Sequence, residues 1–355
     1  MAHSEPPYLF AAADQKYFSH YLEKKVSENY RFFILIDENT KKYCYKKLIK
    51  DFPVLADAKE IIIKSGEKEK TLETCNYIFT KLIENHADRY SILINLGGGV
   101  ITDMGGFAAS VYKRGIAFCN VPTSLLAMVD AAVGGKTGLD FDGLKNAIGC
   151  FNIAEKTYID PGFLNTLPER HLRSGYAELF KIALVSDKLL WKKLMKLDFK
   201  TITDSQDIIK KAVELKNHIV MQDPTEKGFR KVLNFGHTIG HAVESYSLMH
   251  DKKPLLHGEA IAIGMICESW LSYKTMALPE KDLEQISTKL IECFGKVKII
   301  AEKKNLLKLM QNDKKNLKSK INFSLLNNLG EVNIDNFIND EMVSSAIDYY
   351  EDLII

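Results

Sequence analysis

No Cys-x-x-Cys pair occurs anywhere in the chain, and its six cysteines, Cys44, Cys75, Cys119, Cys150, Cys267 and Cys293, stand far apart in sequence. That spacing excludes a zinc ribbon and a dense disulfide framework, and leaves reduced thiols as the expectation. The opening MAHSEPPYLF lacks the charged and apolar regions of a secretory leader, so the expected location is the cytoplasm. No apolar run has the length of a membrane span, because Asp130 and Glu268 interrupt the longest ones. An excess of either charge is missing too. The net charge is +2, with both signs interspersed, so neither nucleic acid nor an anionic membrane is an expected partner. Basic residues that matter must therefore act locally. There is no internal repeat and no low-complexity tract. At 355 residues the chain is too long for one comfortable core, which makes two domains the default.

What is present divides the chain in half. RFFILID (31–37), EIIIKSG (60–66), YSILINLGGG (90–99) and IAFCNVP (116–122) are short β-branched or aromatic runs ending in turn chemistry, and LETCNYIFTKLIENH (72–86) has helical periodicity between two of them. Strand, helix, strand at this rhythm predicts a parallel sheet with crossover helices. Beyond Pro161 the strand signals fade and long helical patterns take over, in GYAELFKIALVSD, SQDIIKKAVELKNHIVMQD and HGEAIAIGMICESWLSYKTM. The punctuation at 160–168 sets the boundary. The expectation is an α/β nucleotide-binding domain over 1–162 and an α-helical metal- and substrate-binding domain over 163–355.

In the first half, SILINLGGGVITDMGGF is a buried strand, three glycines and then a helical pattern. Glycines there let backbone N–H groups approach a pyrophosphate, and a helix N-terminus favours anions. The G-x-G-x-x-G fingerprint is absent, so a tight strand-to-helix turn is the plain alternative. Asp37 is positioned to meet a ribose, although taken alone it reads as an ordinary turn or helix-cap acid. Asp130 inside an apolar stretch, a Gly-Gly-Lys-Thr turn at Lys136, and Lys145-Asn146 follow within a short span. Singly, each lysine reads as solvated surface; together they favour an oxyanion site.

In the second half, Glu178, His237 and His257 sit in helical contexts. Two imidazoles, a carboxylate and an open position make the composition of a catalytic zinc site. Lys181 follows Glu178 by one turn, Arg230 and Asn234 lie at whole helical turns, two and one, before His237, and Lys216 lies on the preceding helix. His241 follows His237 at a spacing that puts both rings on one helix face. The pair lacks the glutamate of H-E-x-x-H, since Thr238 follows His237. A lone histidine is more often a packed or capping residue, but that reading is weak for the set.

The chain resembles the 3-dehydroquinate synthases, members of the sugar-phosphate cyclases. The blocks that carry the resemblance are GGGVITDMGGF, RGIAFCNVPTSLLAMVDAAVGGKTG, KNAIG, GYAELFK, LNFGHTIGHAVES and LLHGEAIAIGM, in that order over nearly the whole chain. The resemblance implies a nucleotide-binding α/β domain, a helical domain and a homodimer. It implies NAD held by Asp37 and Asn39, by Ser65, Gly66, Glu67 and Lys70, and by Gly98, Gly99, Val100 and Asp103. Thr123, Ser124, Asp130, Lys136, Lys145 and the segment Phe163, Leu164, Asn165 and Thr166 complete that implied site. It implies Zn2+ or Co2+ on Glu178, His237 and His257. Substrate contacts by resemblance are Lys136, Asn146, Lys181, Lys216, Arg230, Asn234, His241 and Lys314 or Lys315, with Arg114 reaching the phosphate across the dimer interface. One departure is visible: many members have Asp-Glu where this chain reads Asp223-Pro224, and proline removes a donor and stiffens the turn before Arg230.

The implied substrate is 3-deoxy-D-arabino-heptulosonate 7-phosphate, converted to 3-dehydroquinate and phosphate. In the implied sequence NAD takes a hydride from a ring hydroxyl, phosphate leaves, the hydride returns, the ring opens and an aldol closure makes the carbocycle. The residue types suit a doubly anionic substrate. Arg230 with Lys216 fits a carboxylate, whereas Lys136, Asn146, Asn234 and His241 fit a phosphate. The rival cyclases of the 2-deoxy-scyllo-inosose and epi-valiolone synthase type act on substrates without a carboxylate. A metal-dependent polyol dehydrogenase would have no use for so many phosphate-binding cations, and a decayed binding protein would have lost a ligand. The two histidines of LNFGHTIGHAVES are thus expected to divide: His237 to the metal, His241 to the phosphate.

Overall fold

A computed structural model of the chain describes residues 7–142, 144–311 and 321–353. It separates into two compact units, Met1–Pro168 and Glu169–Ile355. The expected boundary after residue 162 falls earlier than this division. The reason is local: Pro161–Thr166 forms a 3-10 turn whose first N–H groups are capped by Asp160, so the chain leaves the first unit only beyond it.

The first unit runs β1 (Tyr8–Phe10), α1 (Ala11–Ser27), β2 (Arg31–Asp37), α2 (Glu38–Tyr43), α3 (Tyr45–Asp51), β3 (Lys59–Ile63), α4 (Leu72–Glu84), β4 (Ser91–Gly97), α5 (Gly99–Val111), β5 (Ala117–Pro122), β6 (Lys136–Phe141), β7 (Leu144–Phe151) and β8 (Lys156–Ile159). Six strands form one sheet in the order β1-β8-β5-β4-β2-β3, and every pairing in it is parallel. The central β4 is buried along its whole length, as its run of Ile and Leu requires of a strand covered on both faces. Phe33, Leu35 and Leu93 pack with Cys75, Ile78 and Leu82 of α4 and Ile101 and Met104 of α5. On the other side Phe18, Phe52 and Tyr158 form an aromatic cluster with ring centroids 5.0–5.1 Å apart. Strands β6 and β7 pair antiparallel as a separate two-stranded sheet.

The second unit runs α6 (Glu169–Ser186), α7 (Lys188–Leu194), α8 (Gln206–Gln222), α9 (His237–His250), α10 (His257–Thr275), α11 (Glu280–Phe294), α12 (Lys303–Gln311), β9 (Ile321–Asn328), β10 (Glu331–Ile338) and α13 (Asp340–Asp352). It is not wholly helical: β9 and β10 form an antiparallel hairpin that the reading of this half as helices did not anticipate. No helix among the described residues is long and apolar enough to cross a membrane.

Helix α10 is the axis of this unit. Its hydrophobic face is not a stripe, since Gly258, Ala260–Cys267 and Leu271 are all buried, as a helix surrounded by others must be. At two points it meets neighbouring backbone with no side chain between. A Cβ on Gly258 would lie 2.0 Å from the Ser174 carbonyl oxygen of α6, and one on Gly264 would lie 2.0 Å from the Gly236 carbonyl oxygen at the head of α9. One turn beyond Gly264, the fully buried Glu268 accepts hydrogen bonds from the N–H groups of Gly236 at 2.6 Å and Ile239 at 3.1 Å. Residue Gly236, at φ 78°, has no side chain to cap α9, so a carboxylate from α10 does it.

Burial raises the Glu268 pKa to about 8, and the backbone hydrogen bonds offset only part of this. A carboxyl whose folded pKa lies above its unfolded value stabilises fully below the unfolded pKa and loses that contribution as pH rises through the folded one. Wild type should therefore lose stability relative to Glu268→Gln between about pH 5 and 8, by roughly 1 kcal/mol per pH unit. Urea unfolding of both proteins at three pH values across that window measures it. Parallel stability profiles would show that Glu268 does not titrate there.

Candidate active site

The first unit gathers most of its predicted residues at one edge of the sheet. In a parallel sheet all carboxyl ends point the same way, and the chain reverses its direction of strand addition between β2 and β4, the position at which open α/β sheets bind ligands. Asp37 ends β2; Ser65 and Gly66 follow β3; Gly98, Gly99 and Val100 join β4 to α5; Thr123 and Ser124 follow β5; residues 163–166 follow β8. The glycine turn is tight. The Gly97 carbonyl accepts from the Thr123 N–H at 2.9 Å, and a Cβ on Gly98 would come within 3.3 Å of Ser124 Oγ. No side chain caps α5, whose N-terminus opens directly from Gly98. A cradle of this kind suits a dinucleotide pyrophosphate.

The side chains are less uniform than the prediction. The Asp37 carboxylate accepts from the Thr40 N–H at 2.8 Å as the N-cap of α2, the plainer of its two readings. Asn39 is exposed beside it. Phe163 and Leu164 are core residues, which leaves only Asn165 and Thr166 exposed in that segment. Lys70 is buried, with Nζ 2.7 Å from Asp103 and 2.5 Å from Asn146 Oδ1. Burial lowers its pKa, but Asp103 and Glu67 outweigh this and hold the ammonium charged. Lys145 pairs with Glu67 at 3.1 Å. Asp130 lies on a one-turn π-helical segment, Ala127–Ala131, and Lys136 is exposed at the start of β6. Arg114, exposed at φ 67°, follows α5 and precedes β5, so it sits at the opposite edge of the sheet from this crevice.

The second unit brings three helices to one point. Glu178 of α6 has Oε1 3.5 Å from His237 Nε2 of α9 and 3.2 Å from His257 Nε2 of α10, and one ligand atom from each lies within 4.8 Å of the others. Glu178 is fully buried, and its second oxygen is 2.5 Å from Lys181 Nζ, itself buried. Both imidazoles are oriented from behind. His237 Nδ1 is 3.1 Å from the Phe235 carbonyl and His257 Nδ1 is 3.1 Å from Glu244. Burial, helped by Lys181, pushes the His237 pKa down to about 4. For His257 burial also lowers the pKa, but Glu244 and Glu178 outweigh it and lift the value to about 10. Two carboxylates around imidazole nitrogens favour positive charge at their centre, which is the donor chemistry of a divalent-cation site.

His241 lies 5.0 Å from His237 and 5.8 Å from His257, ring centre to ring centre. It is outside the Glu178 group but forms a second one with Glu244 and His257. Arg230 and Asn234 are not on α9: they occupy a 3-10 segment, Phe229–Asn234, separated from it by Phe235 and Gly236. Their spacing as whole helical turns before His237 is thus replaced by a bend. Arg230 is buried and donates to the Pro224 carbonyl at 2.8 Å, and the Asp223 carboxylate gathers the N–H groups of Lys227, Gly228 and Arg230. Only the carbonyl of residue 224 is used, so proline there costs the turn nothing. Lys216 is buried on α8. Lys314 and Lys315 lie outside the described residues. Sequence reasoning missed Glu244, Glu268 and Glu226, whose carboxylate accepts from Asn234 at 3.0 Å. For Glu244 a signal existed, since it continues the His237/His241 face of α9.

Two family models cover most of the chain, 3-dehydroquinate synthase N-terminal over residues 60–174 and 3-dehydroquinate synthase C-terminal over residues 175–316. The 3-dehydroquinate synthase of Parabacteroides distasonis is 42% identical over 325 residues, spanning 91% of this chain and 92% of that one. Among solved structures, a 2-deoxy-scyllo-inosose synthase with carbaglucose-6-phosphate, NAD+ and Co2+ is similar at TM-score 0.81 and 22% identity, covering 96% of each chain. The 2-epi-5-epi-valiolone synthase of Streptomyces hygroscopicus, with NAD+ and Zn2+, is similar at TM-score 0.80 and 24% identity, covering 99% of this chain and 98% of that one.

The close approach at Gly258 generates a test. Gly258→Ala should cost about 1–3 kcal/mol by overpacking α10 against α6 and should also weaken Zn2+ or Co2+ uptake, because His257 is its neighbour. Gly105→Ala, whose Cβ would meet the buried Asn95 side chain at 1.9 Å, should lose stability with uptake unchanged. Chemical denaturation and metal titration of both variants measure this, and equal uptake in the two would separate helix spacing from metal geometry.

Proposed function

This chain belongs to the 3-dehydroquinate synthase family, and on that premise we infer that it converts 3-deoxy-D-arabino-heptulosonate 7-phosphate to 3-dehydroquinate and phosphate, using NAD catalytically and a divalent metal. The observation that carries the reading is the convergence of Glu178, His237 and His257 in a unit that also buries Lys181, Lys216 and Arg230. Burying this many charges is costly unless they are used. We propose that residues 1–162 bind NAD and that residues 163–355 hold the cation, Zn2+ or Co2+, and the substrate. We further propose a cytoplasmic homodimer in which Arg114 serves the partner's site.

When bound, NAD supplies a hydride acceptor and the cation lowers the pKa of the hydroxyls it holds. The chain's own groups bind and orient. The Gly98–Val100 turn receives the pyrophosphate, and Asp37 with Asn39 a ribose. Arg230 grips the substrate carboxylate in bidentate fashion, pre-aimed by the Pro224 carbonyl, with Lys216 beside it. Lys136, Asn146, Asn234 and His241 receive the phosphate. Lys181, held against Glu178, keeps that carboxylate ionised.

Purified protein given the heptulosonate phosphate, Co2+ or Zn2+ and a trace of NAD should release phosphate and dehydroquinate. Release of neither, or accumulation of NADH in step with substrate loss, would overturn the assignment. Arg230→Ala should lower kcat/KM for this substrate about 100-fold or more, the loss of a buried charge-assisted pair, and equal cyclisation of glucose 6-phosphate would remove the argument for a carboxylate clamp. The histidines should part company: His237→Ala loses metal, whereas His241→Ala keeps it and loses turnover. Equal metal loss in both variants would make His241 a ligand.

A further inference from the structure

Glu244 has no place in the chemistry derived so far, yet it is 3% exposed at the centre of the second unit. It lies on α9, two turns beyond His237 and one beyond His241, so the three share a helix face. Its Oε2 is 3.1 Å from His257 Nδ1, while Nε2 of the same ring is 3.2 Å from Glu178 Oε1. The imidazole of His257 is thus held between two carboxylates on opposite edges.

The chemistry of the acceptor assigns the proton. An ionised carboxylate only accepts, so Nδ1 carries a hydrogen toward Glu244, and without a cation Nε2 meets the Glu178 carboxylate in the same way. A cation held by Glu178, His237 and His257 would take the Nε2 lone pair and leave Nδ1 as the protonated nitrogen. A half-turn of the ring would exchange Nδ1 with Cδ2 and Nε2 with Cε1, breaking the contact with Glu244 and turning Nε2 away from the cluster. His237 is oriented in the same sense by a weaker partner, since its Nδ1 meets the neutral Phe235 carbonyl. Of the two imidazoles, His257 is thus the one held from behind by a charged group, Glu244, as Glu178 is held by Lys181.

We propose that Glu244 is a positioning residue for the cation: through Nδ1 it locks the tautomer and ring orientation of His257 and raises the basicity of Nε2. The proposal rests on the reading that Glu178, His237 and His257 hold a divalent metal. It differs from a reading in which Glu244 ligates directly, in the group it forms with His241 and His257.

The test is metal affinity of the full chain without NAD or substrate, measured by competition with a chromophoric chelator for Zn2+ and by the visible d–d absorption of the Co2+ form. Glu244→Ala should weaken binding about 10–100-fold, the range for loss of such outer partners, with the shape of the Co2+ spectrum retained. Glu244→Gln, whose amide oxygen still accepts from Nδ1–H, should recover most of that loss. In the metal-loaded wild type, the 15N shifts of His257 should report Nδ1 protonated and Nε2 ligated, and Glu244→Ala should broaden or split them. Unchanged affinity in Glu244→Ala, with native far-ultraviolet circular dichroism, would overturn the proposal. A loss as large as that of His257→Ala, with an altered Co2+ spectrum in Glu244→Gln, would make Glu244 a ligand and overturn it equally. If Glu244→Ala does not fold, Glu244→Gln decides alone: near-native affinity with unchanged His257 shifts supports positioning, and a loss equal to that of Glu244→Ser refutes it. Full affinity in both Glu178→Gln and His237→Ala would instead bring down the metal-site reading itself.

Discussion

Everything in the second unit depends on how closely α10 lies against its neighbours. Glycine at 258 and 264 removes the side chains that ordinarily hold helices 8–10 Å apart, and backbone meets backbone at α6 and again at the head of α9. His257 precedes the first of these contacts, Glu178 lies one turn past Ser174 on α6, and His237 follows Gly236. The carboxylate and two imidazoles are therefore near neighbours because the backbones that carry them are. Glu268 ties the second contact down by capping α9 from α10, so the position of His237 is held by hydrogen bonds as well as by packing.

The same compactness has an electrostatic consequence. Glu178, Lys181, Lys216, Arg230, Glu244 and Glu268 are all buried within one helical unit. Apolar residues of equal volume would often be neutral or stabilising in such positions. Charge kept here at that cost is charge with a use, and its arrangement is informative. Glu178 and Glu244 flank the His257 imidazole, Glu268 caps α9, and Arg230 donates to a backbone carbonyl.

Much of this was legible in the order of residues. The parallel sheet followed from β-branched runs ending in turns, and the sheet edge that carries Asp37, Gly98 and Thr123 follows from parallel pairing. The meeting of Glu178, His237 and His257 was legible because two histidines and a glutamate in helical contexts are chemically rare together. What was not legible depends on long-range packing. The three-residue β1 and the four-residue β8 are too short to show periodicity and exist as strands by pairing with each other and with β5. The β9–β10 hairpin is masked by asparagines and by two register irregularities that break its alternation. Glu268 looks like an ordinary helical acid until α9 and α10 are placed side by side, and Glu244 shows in sequence only that it shares the His237/His241 face.

The Asp223-Pro224 departure shows why residue identity and backbone role must be weighed separately. From sequence, proline before Arg230 threatens the turn by deleting a donor and fixing φ. In the folded turn the donors are those of residues 227, 228 and 230, all collected by Asp223, and residue 224 contributes only its carbonyl. Proline retains that group and narrows the unfolded chain's freedom, so a turn that must present a buried guanidinium gains rigidity where it needs no hydrogen. The residue that looked like damage to the proposed anion clamp supplies the carbonyl to which Arg230 donates.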